Sequence, residues 1–190
     1  MQTGVNSGSK KLYIVLSQTG TLVSRIIKLF TKAEYNHASI SLCDDLSIMY
    51  SFGRLKPKNP FIAGFVTESA SFGTFKHFPK TKVMVISFDI AEEKYLDMLN
   101  TLDAMYKSKQ KFGYNYLGLY LAAIKVRRYK KDCYYCSEFV RWFLQKYDIK
   151  GADELTGIAY PTEFLSMPDF EDVYSGKLVD FELKQEAVLE

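Results

Sequence analysis

The sequence is short of the residues that usually carry metal and disulfide chemistry. It has two histidines, His37 and His77, and three cysteines, Cys43, Cys133 and Cys136. Cys133-Tyr134-Tyr135-Cys136 is a lone CxxC, and a structural zinc site needs four such ligands, so no metal or other cofactor is assigned. An odd number of cysteines in a chain of 190 residues also lacks the staple pattern of a small secreted domain. That argues for reduced thiols and a cytoplasmic setting. Residues Met1 to Lys11 contain Gly and Ser but no apolar run, which excludes a signal peptide there. The longest apolar-looking segment, Tyr114 to Val126, is too short and too rich in tyrosine to span a bilayer. Charge of one sign is scarce as well: a formal net charge of +3 does not mark a nucleic-acid binder, and no nucleic-acid partner is expected.

An ordinary apolar fraction of 47% stands beside a high aromatic share of 15%. Most of those rings are expected in the core, with a few left for an aromatic-lined groove. There is no internal repeat, low-complexity tract or linker, so residues 1–10 read as a flexible N-terminal arm and 11–190 as one domain. Leu12 to Ser17 reads as a buried strand. The spacing of Leu22, Val23, Ile26, Ile27 and Phe30 predicts an amphipathic helix after a turn at Gln18 to Thr21. His37 to Leu42 alternates, with Ala38, Ile40 and Leu42 on one face and His37, Ser39 and Ser41 on the other. A turn at Cys43-Asp44-Asp45 returns the chain as a strand from Leu46 to Phe52. Gly53 to Pro60 reads as a loop, Phe61 to Val66 as a short apolar segment, and Ser69 to Gly73 as a turn.

Lys82 to Ile90 is a strand by its Val and Ile content. Ala91 to Tyr106 is a helix with Tyr95, Leu99, Leu102 and Tyr106 as its inner stripe, and Tyr114 to Val126 a second that uses Leu117, Tyr120, Leu121 and Ile124. A third begins near Cys133 and ends before Gly151, with Cys136, Phe139, Val140, Phe143, Leu144 and Tyr147 on one stripe. From Ile158 the tail reads as extended or irregular. Strands and helices in this order, without strand–helix alternation, predict an α+β fold in which helices pack an antiparallel sheet.

Cys136 falls in the first turn of its helix, where unpaired backbone N–H groups favour the thiolate, and a nearby imidazole would hold the proton. The same N–H groups suit an oxyanion. His37, on a strand, is the candidate base; His77, beside a turn, is expected to be exposed and is the fallback. Two other readings of Cys136 stand beside this one: a small apolar core residue, and a CxxC redox pair with Cys133.

At these residues the chain resembles a known family. Tyr135-Cys136-Ser137-Glu138-Phe139-Val140 is similar to the nucleophile segment of NlpC-type papain-fold cysteine hydrolases. Histidine before cysteine is the order of the circularly permuted branch, which includes YiiX/YebB-like bacterial hydrolases and the lecithin:retinol acyltransferase group. Asn36 to Leu42, Met49 to Arg54, Gly73 to Phe75 and Tyr114 to Gly118 also resemble stretches of permuted members, so the likeness runs from about Leu12 to Pro168. It implies a papain-like sheet or small barrel packed by helices, Cys136 as nucleophile, His37 as general base, and a third polar residue on the strand after the histidine. Ser51 is the choice by position and Tyr50 the next, because either hydroxyl can face an imidazole, with Glu68 as a more distant acid. Tyr135, Tyr50 and Tyr116 are the candidate substrate-binding residues.

The implied activity is hydrolysis of an amide or acyl bond in a peptide or lipid-like substrate, with acyl transfer or phospholipase chemistry as the variant of the permuted branch. The alternative of another class is a catalytically silent papain-fold binding module. The basic run Lys125 to Lys131 adds transient contact with a membrane surface to the expected partners, though a solvated helix end is the plainer reading.

Overall fold

The central strand of the fold, β1 (Lys10–Gln18), is apolar almost without a break because both of its faces are covered. In the computed structural model, which describes residues 9–19, 34–56, 59–155 and 160–181, β1 pairs antiparallel with β2 (His37–Ser41) on one side and β5 (Lys82–Ile90) on the other. β3 (Met49–Lys56) follows β2, β4 (Asn59–Glu68) follows β3, and β8 (Glu171–Lys177) lies outside β5. The order β4-β3-β2-β1-β5-β8 is an open, wholly antiparallel sheet whose outer strands are β4 and β8. Two very short strands, β6 (Gly113–Tyr114) and β7 (Cys133–Tyr134), form a separate parallel pair. The expected α+β arrangement of helices on an antiparallel sheet is therefore present.

Four helices accompany these strands among the described residues: α1 (Gly73–Lys76), α2 (Glu92–Lys107), α3 (Tyr116–Ala123) and α4 (Cys136–Lys146). No helix among the described residues is long and apolar enough to cross a membrane. One face of the sheet, with Leu12, Ile14, Leu16, Ala38 and Ile40, packs against Met98, Leu102 and Met105 of α2 and Phe139, Val140, Phe143 and Leu144 of α4. The predicted α4 stripe is buried from Cys136 to Tyr147. Cutting a ring such as Phe139 back to alanine in such a core costs on the order of 3–5 kcal/mol. The other face, with Tyr13, Val15, Met49, Val83 and Val85, is covered by Phe75 of α1 and by Leu178 and Phe181 beyond β8.

Four expectations are corrected. The Gly53 to Pro60 loop is largely strand: β3 runs on to Lys56 and β4 begins at Asn59. Proline is tolerated at the start of β4 because this strand is a sheet edge, where a missing N–H breaks no interior ladder. The inner stripe of α2 is rotated to Met98, Leu102 and Met105, leaving Tyr106 outside. α3 is shorter than expected, and Leu117, Tyr120 and Ile124 face solvent instead of the core. The tail contributes a sixth strand, β8, whose largely exposed polar sequence carries no apolar alternation. The arm before Ser9 and the helix expected over Leu22 to Phe30 lie outside the described residues.

Candidate functional site

The site forms where the sheet comes apart. β2 and β3 pair only through Ile40 with Tyr50 and Ser41 with Met49, so towards His37 the ladder between them has ended. The start of α4 lies at that opening, and the freed Ala38 N–H donates to the Cys136 sulfur. Ser51 closes the gap on the β3 side, its hydroxyl donating to the Ala38 carbonyl at 2.6 Å. Ser51 is thus committed to the backbone and does not contact the imidazole. Tyr50, its neighbour, points to the opposite face of β3 and stacks on Phe65 with ring centroids 6.1 Å apart.

His37 opens β2 on the face away from Ala38 and Ile40, as its alternation requires. Its Nε2 lies 2.9 Å from Glu68 Oε2, and the Ser39 hydroxyl donates to that same carboxylate oxygen at 2.9 Å. Glu68 comes from the end of β4, paired with Met49 in the β3–β4 register, and is almost wholly buried. The residue on the imidazole is therefore Glu68, and the first and second choices for that place, Ser51 and Tyr50, are elsewhere. Gly53 makes room for the pair: a Cβ there would sit 3.3 Å from Glu68 Oε1 and 3.6 Å from His37 Cε1. The Phe75 ring of α1 closes the far side of the imidazole edge-on, at 6.2 Å.

The His37 and Cys136 side chains also act on each other's ionisation, so β2, β4 and α4 each contribute one of the three groups. The electrostatics follow from this packing. Burial pulls the His37 pKa down, but the Glu68 charge and the hydrogen bonds to Cys136 and Glu68 outweigh it, and the value is pushed up to about 10. Burial likewise opposes ionisation of Glu68, yet the His37 charge and the His37 and Ser39 hydrogen bonds hold its carboxyl below the usual range. Burial raises the Cys136 thiol too, and the His37 hydrogen bond and charge, with the Ala38 and Ser137 N–H groups, bring it below an ordinary thiol. These interactions favour the charged form of each of the three groups against the penalty of burial. Arg54 stands near enough for its charge to favour the ionised Glu68.

The position of Cys136 is set by α4 and by what holds its first turn. Tyr135 is the residue before the helix, and its backbone N–H donates to Glu138 Oε2 at 3.3 Å. Asn115 Nδ2 donates to the same oxygen at 3.0 Å and to the Arg128 carbonyl at 3.0 Å. Its Oδ1 accepts from the Gly118 N–H at 2.9 Å and so caps α3. A side chain at Gly118 would collide with Asn115, which explains glycine at that position. One buried asparagine therefore links the starts of α3 and α4. The spacing of Glu138 three residues after Tyr135 is the local signal for this cap; its union with Asn115 has none.

Two tyrosines border the thiol. Burial first, then the Cys136 charge, raises the Tyr114 phenol well above its ordinary value, so it is a neutral donor beside the sulfur. Tyr135 is buried, and burial, then the Glu138 and Cys136 charges, raise it also. Tyr116 lies one step further out, its ring 4.7 Å from Tyr114. His77 is exposed and Cys133 half-buried, and all three cysteines are free thiols. No family model matches this chain, and no curated protein or solved structure matches it.

Proposed function

We propose that the protein is a cysteine hydrolase of the circularly permuted papain-like type, cleaving an amide or acyl bond through Cys136, His37 and Glu68. The observation that carries the reading is the buried imidazole held between a carboxylate on one side and a thiol at a helix start on the other. Histidine on an early strand, cysteine on a late helix and an antiparallel sheet behind them agree with the permuted order.

In the first half-reaction the Cys136 thiolate adds to the substrate carbonyl, and the C=O electron pair moves to oxygen. The Cys136 N–H at the start of α4 and the Tyr114 phenol are the donors assigned to that oxyanion. The His37 imidazolium protonates the departing amine or alcohol as the carbonyl re-forms, leaving an acyl-thioester. Neutral His37 then takes a proton from water, the hydroxide adds, and collapse expels the thiolate with the acid as product. Glu68 keeps the imidazole oriented and stabilises its charge without itself taking the proton.

A chromogenic acyl ester tests the reading without knowledge of the natural substrate. p-Nitrophenyl acetate should give a burst of one p-nitrophenol per chain, with a +42 Da adduct, the mass of about one acetyl group, on Cys136; the burst should vanish in Cys136→Ala and His37→Ala. Acetylation spread equally over Cys43, Cys133 and Cys136, with no burst, would refute it. The alternative of a silent binding module draws on the small exposure of Cys136, 6%, and predicts no burst and slower acetylation of Cys136 than of Cys43 and Cys133.

A further inference from the structure

We propose that the face formed by α3, the loop after it and the β3–β4 hairpin docks on an anionic lipid bilayer. Phe61 of β4 is 84% exposed and Tyr120 of α3 is 70% exposed, with Ile62, Tyr116, Leu117 and Ile124 also outside the core. Residues 116, 117, 120 and 124 recur at helical spacing, so they share one side of α3. The Phe112 carbonyl lies 3.6 Å from where a Cβ on Gly64 of β4 would be, which brings the segment leading into this helix beside the strand that carries Phe61. On its inner side α3 is anchored by the Tyr160 hydroxyl, which donates to the Ala122 carbonyl at 2.7 Å. The helix is apolar around its whole circumference, and the side carrying Tyr116, Leu117 and Tyr120 is the one left outside the core. Contiguous apolar surface of this kind marks an interaction site, not a solvated helix.

Charge chooses the occupant. From Ala104 to Lys131 the chain has eight Lys or Arg and no Asp or Glu, and Lys56 at the end of β3 is exposed. Lys125 adopts a left-handed φ of 61° as α3 ends, and the chain from Lys125 to Lys131 is exposed throughout. Exposed aromatic rings with a rim of Lys and Arg fit the headgroup layer, where amphipathic rings sit at the interface and cations meet anionic lipid. A second copy of this face would bring like charges together, and a nucleic acid would leave Phe61, Ile62 and Leu117 without a partner. Tyr116 packs on Tyr114, whose phenol feels the Cys136 charge, so the docking face adjoins the candidate thiol site.

The test is co-sedimentation of the full chain with sucrose-loaded vesicles of phosphatidylcholine, with and without 30% phosphatidylserine. We expect at least tenfold tighter partition to the phosphatidylserine vesicles, weakening as salt is raised. Phe61→Ser with Tyr120→Ser should lose tenfold or more with an unchanged circular dichroism spectrum. Each cation near the surface is worth roughly fivefold, so replacing Lys125, Arg128, Lys130 and Lys131 with Gln should abolish the lipid preference. Cys136→Ala should bind as the wild type does, which separates a failure of docking from a failure of the thiol chemistry. Equal partition to both vesicles, or indifference to the Phe61 and Tyr120 changes, overturns the proposal. So does a dimer in sedimentation velocity that those two changes dissolve, or binding of mixed-sequence RNA tighter than of anionic vesicles.

Discussion

Replacing Glu68 with glutamine keeps the size and most of the hydrogen bonding of the side chain while removing the charge that faces His37 Nε2 at 2.9 Å. The His37 pKa of about 10 lies well above the ordinary value of 6.5. At 1.36 kcal/mol for each pH unit, that rise is worth about 5 kcal/mol of preference for the imidazolium. Burial works against it, and the Glu68 charge is the largest of the contributions that raise it, so Glu68→Gln should remove roughly half, moving the His37 midpoint down by about 2 pH units. The acid limb, where Cys136 ionises beside an imidazolium, should barely move, because the lost carboxylate had stabilised His37 and not the thiolate. With only two histidines in the chain, carbon-labelled imidazole resonances give the assay directly, and His77→Ala assigns them. The His37 resonance should keep its protonated position through neutral pH in the wild type and titrate well below pH 10 in Glu68→Gln. A wild-type His37 midpoint near 6.5, or one that Glu68→Gln leaves in place, would refute the argument. Linkage gives the sign for stability: with its pKa raised, His37 contributes fully below about pH 6.5, and the contribution is lost as pH climbs through about 10. Cys136, lowered, has the opposite sense, contributing above the ordinary thiol value of about 8.5 and losing that as pH falls.

Three further predictions are independent of any substrate. At pH 6 an ordinary thiol is only ~0.3% ionised, and the weaker intrinsic nucleophilicity of an activated thiolate gives back part of that advantage. Cys136 should therefore react with iodoacetamide about tenfold faster than Cys43 at this pH, and His37→Ala should erase the difference; because the thiol is buried, thiolate absorbance at 240 nm in the wild type and Cys136→Ala provides the check that access does not affect. Ser51→Ala should cost about 1–2 kcal/mol in urea unfolding, the value of a buried hydroxyl-to-carbonyl bond, with the His37 titration unchanged; a shifted titration would return Ser51 to the catalytic group. Asn115→Ala loses a helix cap and the bond to buried Glu138, so it should destabilise by about 2–3 kcal/mol and slow Cys136 alkylation; wild-type stability in that variant would remove Asn115 as the link between α3 and α4.

The pattern of success and failure in reading the chain follows the range of the forces involved. The alternation from His37 to Leu42 already tells which face the imidazole takes, and the stripe from Cys136 to Tyr147 already tells how α4 lies on the sheet, because both depend on neighbours within a few residues. β8 was illegible because an exposed edge strand needs no apolar alternation; Tyr174 is the residue it packs against the core. α3 misled for a different reason: its residues are apolar on every side, so no period marks which side is buried.

The third group on the imidazole shows the limit most clearly. Proximity in sequence favours Ser51, on the strand after the histidine, whereas Glu68 lies 31 residues from His37. The β3–β4 register sets Glu68 opposite Met49, and the early end of the β2–β3 ladder opens the space that the imidazole and the start of α4 share. Sequence alone determined the residue types, the faces of β2 and α4, and the cysteine at a helix start. Only tertiary structure decided which acid meets the imidazole and which side of α3 faces outward, because both depend on strand register and on packing between segments far apart in the chain.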